Sequence, residues 1–205
     1  TGKAYESEKH NHDDLEALLS GMLKNLIKVC EKMPLWPQAV QSVIDIYLGE
    51  IPQTFMWQNK TLTPKEFQTE MDINPDDYIE FTSYLRYPMY SKINLDIPDN
   101  WSFDQYFNVP LEDLMSIINQ SIEKGYTLVW DGDVSENGFS HKHMLAVIPT
   151  KESEEDELFL NKPMPEMAIT QELREKMFLS QQSTDDHLMR LIGTSKDALG
   201  NKYFI

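Results

Sequence analysis

The sequence predicts an α+β fold with a mainly antiparallel sheet, and three observations carry that expectation. Apolar residues fall at three- and four-residue spacing over 13–33, 37–48 and 110–124, the period of amphipathic helices. Short runs rich in Tyr, Phe, Val, Ile and Trp, bounded by Gly, Pro and Asn, read as strands. The second half of the chain alternates such strands with one long helix and finishes on a hairpin.

The first helix is expected over 13–33. Leu15, Leu18, Leu19, Met22, Leu23, Leu26, Ile27 and Cys30 form its stripe, Asp13 with Glu16 suggests the cap, and Pro34 ends it. A second runs over 37–48 on Val40, Val43, Ile44 and Tyr47, with Gly49 as its stop. A hairpin over 54–63 should turn at Gln58-Asn59-Lys60. Thr63-Pro64-Lys65-Glu66 is a capping box with Pro at the first helical position, so a short helix comes next, and Asn74-Pro75-Asp76-Asp77 starts another turn by the same logic.

Strands are expected over 78–82 and 92–97, and Pro98-Asp99-Asn100 breaks the chain after the second. The helix over 110–124 buries Leu111, Leu114, Met115, Ile118 and Ile122 and closes at Gly125. Strands over 126–131 and 143–148 flank a turn over 133–138, and an acidic solvated loop occupies 151–157. A short helix covers 170–178. Strands over 187–193 and 202–205 should pair antiparallel through Leu199-Gly200-Asn201, with 127–130 in the same sheet, because Gly and Asn tolerate the positive φ of such turns.

Composition narrows the function. Of 205 residues, 40% are hydrophobic, with four Trp, nine Tyr and nine Phe, enough for a packed core. No apolar run reaches the roughly 20 residues of a membrane-spanning helix. The polar segment 1–12 does not read as a signal peptide. Net charge is −16, from 34 acids against 18 bases, which repels phosphate backbones and anionic lipid, so neither nucleic acid nor membrane is expected as a partner. With one cysteine there is no internal disulfide, which fits a reducing compartment without requiring one.

Several residues could carry chemistry. His187 comes after Ser183-Thr184-Asp185-Asp186 at the head of a strand, where imidazole suits proton transfer and thiol activation; an ordinary hydrogen-bonded histidine is the alternative. Cys30 lies on the apolar stripe near a helix C-terminus, where the dipole disfavours a thiolate, so it reads as core. His141 and His143, alternating along an extended segment, pose the question of zinc, as do His10 and His12; exposed loop-edge histidines answer it more simply, and no metal is expected. Asp131 and Asp133 flank Gly132, and a Gly-centred turn explains them better than calcium or acid/base work. Asn59-Lys60-Thr61 matches a glycosylation acceptor, which means little without a secretory route. There is no Gly-rich phosphate loop and no G-x-S-x-G elbow, and no cofactor is expected.

A collinear set of segments goes further. Tyr47-Leu48-Gly49, Thr63-Pro64-Lys65-Glu66-Phe67, Asn74-Pro75-Asp76-Asp77-Tyr78, Thr82-Ser83-Tyr84, Pro88-Met89-Tyr90 and Asp99-Asn100-Trp101 come first. Asn108-Val109-Pro110-Leu111, the stretch Gly125 to Ser135, Ile169-Thr170-Gln171-Glu172-Leu173-Arg174 and Thr184-Asp185-Asp186-His187-Leu188-Met189 come after them. Together they resemble the bleomycin hydrolase / aminopeptidase C family of papain-like cysteine peptidases, in its C-terminal part.

The resemblance implies the His-bearing half of a papain-like (cysteine proteinase) fold with helical insertions. Its expected divisions are a helical segment over 1–50, a family-specific insertion over 51–100, and a β-rich half over 101–205 carrying the catalytic His. In papain-like enzymes an Asp-His pair opens a strand and the His is the catalytic base; Asp186-His187 matches. The strand Asn201-Lys202-Tyr203-Phe204-Ile205 looks like the one leading to the Asn that orients the His, which would lie just beyond Ile205. The family's nucleophile is a Cys followed by Trp at a helix start; Cys30 is followed by Glu31 and does not match.

The expected function is therefore a cysteine-type aminopeptidase acting on peptides in the complete protein, with this chain alone inactive. Its partners would be peptide substrates, the Cys-bearing N-terminal part of the same protein, and further copies in a homo-oligomer, a hexamer in the family. A non-catalytic binding or assembly module on the same fold is the alternative. A cytoplasmic location is expected, with export left open.

Overall fold

The computed structural model describes residues 11–29, 34–98, 100–150 and 160–205. The chain divides into two compact units, Thr1–Pro75 and Asp76–Ile205.

In the first unit, α1 (Asp13–Val29) packs against α2 (Trp36–Leu48). The backbone N–H of Asp13 donates to Asn11 Oδ1 (2.9 Å) and that of Glu16 to the His12 carbonyl (2.8 Å). The cap of α1 is thus Asn11 with His12, not the expected Asp13–Glu16 pair. Asp13 and Glu16 lie in the first turn instead, where acids complement the helix dipole. Pro37 sits in the first turn of α2, and Gly49 ends it at φ 88°, a conformation that costs a side chain.

The hairpin comes next as β1 (Phe55–Trp57) and β2 (Lys60–Leu62), with Trp57 opposite Lys60. Gln58 and Asn59 both have positive φ, 45° and 64°, as a two-residue hairpin turn demands. The capping box of α3 (Pro64–Glu70) is complete. Thr63 Oγ1 accepts from the Glu66 N–H (3.2 Å), and Glu66 Oε2 accepts from the Thr63 N–H (2.8 Å). Those bonds from Thr63 hold the Glu66 carboxyl below its ordinary value.

The second unit is α+β. Its strands are β3 (Phe81–Thr82), β4 (Ser91–Asn94), β5 (Gln105–Asn108), β6 (Leu128–Gly132), β7 (Phe139–Ser140), β8 (Leu145–Ala146), β9 (His187–Leu191), β10 (Thr194–Lys196) and β11 (Lys202–Phe204). Its helices among the described residues are α4 (Leu111–Glu123) and α5 (Gln171–Leu179). Every named strand pairing is antiparallel except β3 with β5.

The three-stranded sheet has the order β3-β5-β4 and backs a core of Tyr84, Ile93 and Leu95, packed by Tyr87, Ile97, Tyr106 and Phe178. Its centre, β5, was not expected as a strand. Asn108 at its end is fully buried and closes the fold locally. Its Oδ1 accepts from the Tyr84 N–H (2.8 Å), while Nδ2 donates to the carbonyls of Tyr84 (3.0 Å), Pro88 (3.1 Å) and Tyr87 (3.2 Å).

Helix α5 begins at Thr170, whose hydroxyl accepts from the Leu173 N–H (3.2 Å), and is fastened to the sheet by polar bonds. Gln171 Oε1 accepts from Leu111 N–H (2.7 Å) and from Ser83 Oγ (3.1 Å), and Arg174 Nε donates to the Ser83 carbonyl (3.0 Å). Ser83 is fully buried, so these partners replace the water it lost.

Two strand assignments need correction. The partner of Lys202–Phe204 is β10, not the segment headed by His187; β10 turns into β11 across 197–201. His187–Leu191 pairs with β6, as expected of 127–130, but in a sheet separate from β10–β11. The break falls at Ile192-Gly193, whose N–H groups both reach the Ile205 carbonyl (2.6 and 3.2 Å). The expected strand over 143–148 is shorter as well. His141 to Met144 form the turn between β7 and β8, with Met144 at φ 51°.

Candidate functional site

His187 is the first residue of β9 and stands opposite Gly132, the last residue of β6. Directly paired residues share a face of an antiparallel ladder. His187, Met189 and Leu191 therefore lie with Gly132, Trp130 and Leu128, while Leu188 and Arg190 lie with Asp131 and Val129. The Trp130 indole covers Gly132, since a Cβ built there would meet its ring at 2.0 Å. Only glycine leaves room for that ring beside His187. The opposite face is open, with Val129 73% and Leu188 72% exposed.

The imidazole is accessible, the His187 side chain being 57% exposed. Nδ1 lies 3.2 Å from Asp186 Oδ1, and the same oxygen accepts from the Val134 N–H (3.0 Å). When Nδ1 carries the hydrogen it donates to Asp186, and Nε2 is then the nitrogen that can accept a proton.

Asp133 lies just behind this pair. Its Oδ1 accepts from the Ser135 N–H (2.8 Å) and hydroxyl (2.7 Å), and its Oδ2 from the Thr184 N–H (2.9 Å) and hydroxyl (3.2 Å). Burial pushes this carboxyl up, but the four bonds outweigh it and hold the group below its ordinary value. Glu136 nearby is raised, by burial first and by the Asp133 charge second.

The expected Gly-centred turn at Asp131-Gly132-Asp133 is thus incorrect: Gly132 is the strand end that Trp130 covers, and the chain leaves the strand only at Asp133. Sequence reasoning singled out Asp133 but not its role, because its partner Thr184 is remote in sequence.

The remaining candidates lie elsewhere. His143 Nδ1 is 2.8 Å from Ser140 Oγ, and His141 packs edge-on against Phe139, so the two rings make separate local contacts. The extended, one-sided arrangement expected of them is replaced by the β7–β8 turn. Among the described residues no group of three or more His, Cys, Asp or Glu is arranged to hold a metal. Cys30 and His10 lie outside the described residues. A cavity of about 250 Å³ lies between Leu145, Val147, Met164, Glu166 and Tyr203 and does not include His187. No described helix is long and apolar enough to cross a membrane.

Comparison with known proteins yields a fold. No family model matches the sequence, and no curated protein matches it. Among solved structures, the chain is similar to PepW from Lactobacillus rhamnosis HN001, with a TM-score of 0.61 at 15% identity. The match covers 93% of this chain and 47% of that one, so the chain spans about half the length of the structure it resembles. The chain has the α+β fold of that half of PepW.

Proposed function

We propose that this chain is the His-bearing part of a papain-like cysteine peptidase of the bleomycin hydrolase / aminopeptidase C type, and that His187 is its catalytic base. The observation that carries the reading is the Asp186–His187 pair at the head of β9, with the ring exposed and Nδ1 at the carboxylate. The collinear resemblance of the sequence supports it, as does a fold shared with a protein whose name denotes a peptidase.

In the complete protein, a cysteine thiolate supplied from outside this segment attacks the peptide carbonyl. His187 stabilises that thiolate as an ion pair and then protonates the leaving amine. The substrates are peptides, trimmed from their N-termini. The chain alone has one thiol, at Cys30, which Glu31 rather than Trp follows. It therefore holds the base without a matched nucleophile.

The test adds an aminoacyl-coumarin substrate to this chain, to the full-length protein and to full-length His187→Ala. The full-length protein turns over, the chain does not, and His187→Ala loses several orders of magnitude, about the loss seen when one member of a cooperating catalytic set is removed. Thiol-sensitive turnover by the chain alone, or full activity in His187→Ala, would refute the proposal.

A further inference from the structure

Three prolines keep a gap open beside β11. Pro149, Pro163 and Pro165 have no N–H to give to a ladder, so the segments around them cannot zip into paired strands. One isolated bridge, Pro149 with Glu166, joins the two segments. Beside it the Met167 N–H donates to the Ile148 carbonyl (2.7 Å) and the Thr150 N–H to the Pro165 carbonyl (3.4 Å). The cavity of about 250 Å³ lies between these segments and Tyr203 of β11.

Its walls differ in chemistry. Leu145, Val147 and Pro149 alternate along an extended segment and line one side, and Met164 adds to the apolar wall. All four are half-buried. The Tyr203 hydroxyl lies 3.5 Å from Asp197 Oδ2. It is raised by burial first, then by the charges of Asp197 and Glu166, so both carboxylates face it. Lys162 is the one cationic side chain among the described lining residues.

We propose that this cavity binds a free α-amino acid with an apolar side chain of about leucine or methionine size. Glu166 and the Tyr203 oxygen receive its ammonium group, Lys162 its carboxylate, and Leu145, Val147 and Met164 its side chain. A free amino acid is what N-terminal trimming releases, so a role in sensing product rests on the peptidase reading; the binding itself does not.

Size and charge select this occupant. A cavity of about 150 Å³ holds a benzene-sized molecule, and drug-sized ligands occupy roughly 300–1,000 Å³, so this one suits a small ligand. Asp197 is largely committed to its own loop, accepting from the Leu199 N–H (2.8 Å), the Asn201 N–H (2.9 Å) and the Asn201 amide (2.7 Å). Glu166 accepts at Oε2 from the Ile148 N–H (3.2 Å), and a carboxylate has room for about four such bonds. Glu166 and Lys162 are both exposed, at the rim, while the apolar walls lie deeper. A zwitterion with a hydrocarbon tail matches that order, whereas an internal peptide residue brings neither charge. The cavity does not include His187, so its occupant is not the peptide being cleaved.

The experiment titrates L-leucine and L-methionine into the 205-residue chain with labelled methyl groups. Saturable shifts are expected at Leu145, Val147 and Met164, with half-saturation at about 1 mM or below. N-acetyl-L-leucine lacks the cation and 3-methylbutylamine lacks the anion, and each should bind about tenfold more weakly or worse. Glu166→Gln keeps an acceptor for Ile148 but loses the charge, and should weaken L-leucine about tenfold. Lys162→Met, a change at an exposed position, should weaken it about fivefold while leaving 3-methylbutylamine unaffected, and it carries the test should Glu166→Gln not fold.

Absence of saturable shifts at these methyls up to about 20 mM, or equal binding of N-acetyl-L-leucine or 3-methylbutylamine, overturns the proposal. Unchanged L-leucine affinity in either folded variant does so too. Binding is read in the chain and cleavage in the whole protein. An inactive full-length protein beside intact L-leucine binding would therefore sink the peptidase reading and leave the site standing.

Discussion

Replacing Asn108 should be the most damaging single change in the second unit outside the site. The side chain is fully buried and makes four bonds between its amide and the backbone of 84–88. In Asn108→Ala, the Tyr84 N–H loses its acceptor and three carbonyls lose the two amide hydrogens they share. One orphaned buried N–H costs about 1–3 kcal/mol, and the carbonyls, each with a second lone pair, add less apiece. With a small cavity term the sum is about 3–5 kcal/mol, against a typical total stability of about 5–15 kcal/mol.

The assay is urea unfolding joined to hydrogen exchange at the Tyr84 amide, whose protection should fall about a hundredfold or more. Asn108→Asp separates the causes, because it keeps the volume and the acceptor but turns a carboxylate oxygen toward the three carbonyls. It should be at least as damaging as the alanine. A loss under about 1 kcal/mol in Asn108→Ala, or a mild Asn108→Asp beside a severe Asn108→Ala, would show that the hydrogen bonds are not what matters there.

Close packing and charge supply the other tests. Gly132→Ala must displace the Trp130 ring, and Gly138→Ala must push a Cβ to 1.8 Å from the Val147 carbonyl, which is backbone and yields less easily. Overpacking of this kind costs about 1–3 kcal/mol, with Gly138→Ala the worse. Gly132→Ala should also shift tryptophan emission; unchanged emission and melting temperature in both would contradict the packing described. Acidification gives a third test. Asp133 and Asp197 both titrate below their ordinary 3.8 when folded. In each, burial opposes the shift; bonds from Ser135 and Thr184, or from Asn201, Leu199 and Gly200, win. Their stabilisation is full above 3.8 and is lost as pH falls through the folded values. Glu80 is raised, by burial and then by Asp104, so its charging opposes folding as pH rises past 4.5. Asp197→Asn should flatten the acid limb of stability, and Glu80→Gln should raise stability at neutral pH. Parallel pH profiles for parent and Asp197→Asn would refute the first, and a less stable Glu80→Gln the second.

By itself, the sequence determined the features whose cause is local. The capping box at Thr63 and Glu66, the turn at Gln58-Asn59 and the Thr170 start of α5 are settled by residues within a few positions of one another. Helices α1, α2 and α4 arise from their 3.6-residue stripe. Asp186-His187 was legible as a motif because the two residues are adjacent.

Tertiary structure alone decided what is paired with what. Strand β5 reads weakly in sequence, since Gln105-Tyr106-Phe107-Asn108 is four residues without clear alternation, yet it is the centre of its sheet because β3 and β4 flank it. The hairpin rule assigned Lys202–Phe204 to the His187 strand, but Ile192-Gly193 break that strand and hand the pairing to β10. The bonds of Asp133 to Thr184 and of Gln171 to Leu111 span 51 and 60 residues. Neither is readable from sequence, because the loop-closure entropy such contacts must overcome is met only when the whole sheet forms.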